Sequence, residues 1–145
     1  MGTTLCPELS RKNPYWIEKH RYYELKHFCL QYPGWRRAYA TIDSLPGGNF
    51  NPGKVRQNPW ELDPVADCAE ARLFYLDRME MVEKTAMKTD PDLMSYIIKG
   101  VTEGRSYNNL QTRFGIPCCK DTYYDRYRRF FWLLNKERQS YEDYR

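Results

Sequence analysis

Between Lys120 and Arg129 the chain carries Lys120, Thr122, Tyr124, Arg126, Arg128 and Arg129, which a helix would gather on one surface. Ammonium and guanidinium groups bind phosphate oxygens, an arginine fork also matches the O6/N7 edge of guanine, and hydroxyls add neutral donors. That is the chemistry of a nucleic-acid contact. Asn108, Asn109 and Arg113, a few residues upstream, belong to the same candidate surface.

Competing chemistries find less support. His20 and His27 share a helix face at i, i+7, whereas helical metal pairs favour i, i+4. A solvent-facing or packing role fits both. Cys6, Cys29, Cys68, Cys118 and Cys119 are odd in number and lack the paired Cys-x-x-Cys spacing of zinc sites, so they read as reduced thiols, with the adjacent pair in a turn. No glycine-rich phosphate loop, nucleophile elbow or close carboxylate constellation occurs. The expectation is a non-enzymatic protein with no metal and no cofactor.

The elements that would position the basic residues follow from local punctuation. Ser106 caps a short helix burying Leu110 and Phe114, Gly115 supplies the positive φ that leaves it, and Ile116 plugs the core beneath the turn. Asp121 or Thr122 then caps a second helix, with Tyr123, Tyr127, Phe130, Phe131 and Leu134 inward at i, i+4, i+7, i+8 and i+11. This is the grammar of a helix-turn-helix.

Upstream, Asn13-Pro14 predicts a helix start, with Tyr22, Leu25, Phe28, Cys29 and Tyr32 at helical spacing and Pro33-Gly34 as terminator. A shorter helix runs from Trp35 to about Leu45. The Pro/Gly-rich stretch from Pro46 to Leu62 predicts a long loop bearing Lys54, Arg56 and Trp60, a linker or a functional arm. Asp63-Pro64 opens a helix to about Lys88, with Val65, Ala69, Leu73, Leu76, Met79, Val82 and Ala86 as its apolar stripe, and Asp90-Pro91 opens another, ending at Gly104. No strand pattern or internal repeat is present. The predicted fold is all-α, a helical bundle in three parts: residues 1-62, residues 63-104 with the long acidic helix, and residues 105-145 with the helix-turn-helix.

Charge follows the same division. Residues 1–60 hold nine Lys/Arg against four Asp/Glu, residues 61–104 five against ten, and residues 105–138 eight against three. A net charge of +4 says little about partners, but this segregation suits a phosphate-facing C-terminal unit and an acidic middle. The 41% hydrophobic and 16% aromatic content suffices for a packed core despite a mean hydropathy of -0.85. No apolar run long enough for a membrane span and no secretory leader pattern is present, so a cytoplasmic protein without a membrane partner is expected.

The segment from Leu110 through Leu134 resembles the helix-turn-helix of region 4 in bacterial sigma-70 factors. Its matching positions are Phe114-Gly115-Ile116-Pro117, then Thr122-Tyr123 and Arg126-Tyr127-Arg128-Arg129, with the turn from Pro117 to Asp121 about two residues longer than usual. Across most of the chain the order of features is similar to RinA/ArpU-type phage late-gene transcriptional regulators. That resemblance implies a phage or prophage protein in the host bacterial cell that binds double-stranded DNA at a promoter and regulates late genes. Host RNA polymerase, and a second copy docked through residues 63–88, are the further partners expected. Two alternatives stand beside it: a small terminase-like DNA-packaging protein, whose motif is usually N-terminal, and a phage inhibitor of a host nuclease.

Overall fold

The computed structural model describes residues 12–44 and 64–143. These form six helices in the order α1 (Lys19–Leu30), α2 (Tyr32–Ser44), α3 (Pro64–Thr89), α4 (Met94–Glu103), α5 (Tyr107–Phe114) and α6 (Lys120–Asp143), with no strand among them. The fold is an all-α helical bundle. The loop predicted between Pro46 and Leu62, with Lys54, Arg56 and Trp60, lies outside the described residues.

Two of the predicted Pro-led helix starts are turns instead. Asn13 Oδ1 accepts from the Tyr15 amide at 2.8 Å and the Asn13 carbonyl from the Trp16 amide at 3.1 Å, a local bonding pattern that competes with helix. α1 opens later, where Glu18 Oε2 accepts from the Arg21 amide at 3.1 Å. Asp90 Oδ1 likewise accepts from the amides of Asp92 at 3.0 Å and Leu93 at 3.3 Å, so α4 begins only at Met94. Pro33-Gly34 does not end α1 either. The break falls at Gln31, whose amide turns to the Phe28 carbonyl at 3.2 Å, and Pro33 sits in the first turn of α2, where a missing N–H costs little.

α4 packs against every other helix, and α6 supplies the largest buried side chains. α6 packs against α1, α3 and α4, while α2 lies along α3 and α5 rests on α4. Tyr123, Phe130, Phe131 and Leu134 of α6 are fully buried, together with Leu25 and Cys29 of α1, Val82 and Ala86 of α3, Ile97 and Val101 of α4 and Leu110 of α5. Each such Leu or Phe removed from water stabilises the fold by roughly 1.5–3 kcal/mol. Tyr22 bridges α1 to α6, its ring edge-on to Phe131 at 5.2 Å and its hydroxyl 3.0 Å from that of Tyr127. At the other end Lys88 of α3 reaches Glu137 of α6 at 2.6 Å. One core cluster runs from Ile17 to Leu134 and draws on all six helices.

The stripe predicted on α3 is only half right. Met79, Val82 and Ala86 are buried, but Leu73 is 59% exposed, Ala69 faces solvent, and Thr85 and Thr89 take inward positions by bonding back to the carbonyls of Met81 and Thr85. The physical reason is partner geometry: the C-terminal half of α3 has α6 to pack on, and a hydroxyl that satisfies itself within the helix can be buried at little cost. Phe114, predicted to be inward on α5, is 38% exposed, its ring covered by cations instead of core.

Among the described residues no helix is long and apolar enough to cross a membrane, and no group of three His, Cys, Asp or Glu side chains is placed to hold a metal. Cys29, Cys68, Cys118 and Cys119 are free thiols.

Candidate nucleic-acid interface

The candidate interface is built on α5, the connection that follows it, and the first turns of α6. Ser106 Oγ accepts from the Asn109 amide at 3.2 Å and caps α5, as its position before the helix predicts. Gly115 leaves α5 at φ 62°, its amide bonded to the carbonyl of Gln111, while the Ile116 amide reaches back to Leu110. That paired closure is the glycine-ended helix stop. Ile116 is buried beneath it. The Tyr107 hydroxyl then donates to the Cys118 carbonyl at 2.6 Å, fastening the connection to the start of α5.

α6 begins two to three residues earlier than the predicted caps require. Cys119 occupies the cap position: its carbonyl accepts from Tyr123 at 3.0 Å and its Sγ lies 3.1 Å from Thr122 Oγ1. Hydrogen bonds from the Thr122 hydroxyl and the amides of Thr122 and Asp121 hold this exposed thiol below its usual range, whereas burial pushes the neighbouring Cys118 thiol up. Nothing in the spacing of the chain distinguishes a cysteine cap from the Asp and Thr beside it. Thr122 is therefore half-buried and turned toward Cys119.

The candidate residues separate into three groups. Asn108, Arg113 and Lys120 are exposed, on α5 and at the start of α6. Arg128 and Arg129 are half-buried along α6, and the Arg128 Nε is enclosed without a partner among the described residues. Tyr124, Arg126 and Asn109 are committed within the fold. Tyr124 is only 9% exposed, in edge contact with Tyr123 and Tyr127. Arg126 donates from Nε to Asp90 at 3.1 Å and from its terminal nitrogen to Asp125 at 2.6 Å, and the Asp90 contact raises its already high pKa further. Asn109 accepts from Arg105 at 2.8 Å.

Hydrophobic periodicity alone misplaces Tyr124 because α6 is covered on more than one side. It packs on α1, α3 and α4, so its buried arc is wider than the single stripe of a surface helix. Asp90 was legible only as a helix start, yet it orders the α3–α4 turn and holds Arg126 at the same time. Asp121 and Asp125 also lie on the outer part of α6, so its first turns present mixed charge.

Two cations missed by the sequence reading join this surface from α4 and its C-terminal end. The Lys99 Nζ stands 4.9 Å and the Arg105 guanidinium carbon 5.0 Å from the centre of the Phe114 ring. Arg105 also pairs with Glu103 at 2.5 Å. Their signal was the exposed aromatic at Phe114, read instead as core. Compared with models of known families, with curated proteins and with solved structures, the chain matches none.

Proposed function

We propose that this protein is a sequence-specific double-stranded DNA-binding transcriptional regulator of phage or prophage late genes, acting in the host bacterial cell, and that it contacts DNA with α5, the Gly115 turn and the start of α6. The observation that supports this most directly is the locked turn itself. Gly115, Ile116 and the Tyr107–Cys118 bond fix the connection while Asn108, Arg113 and Lys120 remain turned to solvent on either side of it. On this reading Arg113, Lys120, Arg128 and Arg129 engage phosphates, and Asn108 reads a base edge. Arg126 keeps a structural part, joining α6 to the α3–α4 turn.

The reading is tested by fluorescence anisotropy on a duplex selected from random sequences, over a range of salt concentrations. Replacing Arg113, Lys120 and Arg129 together with Ala is expected to weaken binding on every sequence and to reduce the slope of log affinity against log salt by about one for each phosphate no longer neutralised. Asn108→Ala should relax preference at one base position. Arg126→Ala should lower thermal stability while leaving base preference intact. A wild-type protein with no enriched sequence and no salt dependence would sink the proposal.

A second copy is the partner best suited to α3. Leu73, Asp77, Glu80, Lys84 and Met87 recur at alternating spacings of four and three residues on its outer face. Leu73 and Met87 are exposed at 59% and 50%, and Lys84 sits 3.8 Å from Glu80 between them. An antiparallel two-fold pairing would set Leu73 against Met87 of the other copy and Asp77 against its Lys84, so the stripe complements itself.

A further inference from the structure

A cavity of about 310 Å³ opens between the first turn of α2 and the outer face of α4. Its walls are Tyr32, Pro33 and Arg36 on one side and Ser95, Ile98, Lys99, Thr102 and Glu103 on the other. The volume is at the small end of ligand sites, and the charge distribution is what selects its occupant. Arg36 comes from one helix and Lys99 from the other. Among the described residues neither has a carboxylate within ion-pair distance.

The acids nearby are spoken for. Glu103, the one carboxylate in the lining, pairs with Arg105 at 2.5 Å. Glu83, on α3, accepts from the Tyr32 hydroxyl at 2.5 Å, and burial together with that acid pushes the Tyr32 phenol up to about 12, so it stays a neutral donor committed to Glu83. Thr102 gives its hydroxyl proton to the Ile98 carbonyl at 2.6 Å. Arg36 and Lys99 thus line one small space from its two walls, with Ser95 on the α4 side. With Glu103 engaged by Arg105, two cations lining one cleft still repel each other, and a bound anion relieves that repulsion.

We infer that Arg36 and Lys99 form a clamp for a phosphate group, and that its occupant is a backbone phosphate of the bound DNA. Continuity of the surface favours this source over a free phosphate compound. Lys99 borders both places: the residue lines the cavity, while its Nζ lies over the Phe114 ring of α5, next in sequence to Arg113, from where it would swing to take the phosphate. A duplex lying along α5 would therefore carry its backbone across Lys99 toward Arg36, extending the contact beyond the turn. An arginine fork and a lysine point charge suit a phosphodiester held from two sides. The inference rests on the DNA-binding reading for its occupant but not for its chemistry.

The test has two arms, run on the full chain with the double variant Arg36→Gln/Lys99→Gln and the charge-preserving Arg36→Lys/Lys99→Arg. In the first, duplex affinity is measured against salt. The neutral variant is expected to lose about tenfold in affinity and about one unit of the log–log salt slope, and the charge-preserving variant to retain both. In the second, inorganic phosphate is titrated at constant ionic strength and thermal unfolding is followed. Phosphate should raise the melting temperature of the wild type and leave the neutral variant unmoved. Unchanged affinity and slope in the neutral variant would remove the DNA phosphate from the cavity. A phosphate-dependent rise in melting temperature equal in all three proteins would remove the clamp altogether. If the wild type binds no duplex yet phosphate stabilises it through Arg36 and Lys99, the clamp stands with a free phosphate compound as occupant, and the DNA reading fails separately.

Discussion

At the scale of single residues, the described glycine with the least room is Gly100 of α4, where it meets Tyr123 of α6. A Cβ at position 100 would collide with the Tyr123 hydroxyl, and that hydroxyl is buried with no hydrogen-bond partner among the described residues. Burial pushes its phenol up, as expected for a neutral group with no charged neighbour to offset desolvation. Gly100→Ala is expected to destabilise the protein by about 1–3 kcal/mol through overpacking. Tyr123→Phe should be near neutral, because it removes an unsatisfied polar atom, and it should rescue Gly100→Ala. Chemical denaturation of the two single variants and the double closes the cycle, and purely additive effects would contradict the account. The identities of Tyr123 as core and Gly115 as a turn were legible in the chain. Gly100 was not, since inside a helix its signal depends on what faces it across the bundle.

At the scale of elements, local chemistry was readable wherever a residue acts on its own neighbours. Ser106, Gly104 and Gly115 stop and start helices where their types require it, and both glycines take left-handed backbone, at φ 68° and 62°. The Pro-led starts at Asn13 and Asp90 were misjudged because the same Asx side chain that can cap a helix can close a turn first. The outward face of α6 was misjudged for a different reason: a helix enclosed by three others shows no single polar side, and Tyr124 and Arg126 are tied up by packing and pairing within the bundle. Nothing lies within 4 Å of a Cβ built at Gly115, so Gly115→Ala isolates the backbone cost. That cost should be about 1 kcal/mol, a loss of a few degrees in melting temperature, with Gly115→Asn losing less. If Ala and Asn were equivalent, the left-handed turn would not be what constrains this position.

At the scale of the whole molecule, the oligomeric state decides how a DNA site could be read. On the proposed reading, a two-fold pairing through α3 would present two copies of the DNA-contacting surface and so call for paired half-sites. Sedimentation velocity is expected to show a concentration-dependent dimer that Leu73→Glu/Met87→Glu converts to monomer without loss of helicity. A wild type that remains monomeric at high concentration would exclude this seam, and a closed ring would favour the DNA-packaging alternative. One core cluster draws on all six described helices.

That α6 comes last among the described helices yet fills the shared core has a consequence for how the protein comes into being. Leu25, Cys29, Val82, Ala86 and Ile97 are made before Phe130, Phe131 and Leu134, the side chains that join them in the same buried cluster. On the ribosome, α1 to α4 must therefore wait, with much of their apolar surface uncovered, until residues beyond 134 have left the exit tunnel. During that interval the nascent chain is a substrate for chaperones and proteases, and a truncated product ending before α6 would be cleared instead of accumulating as a partly active fragment.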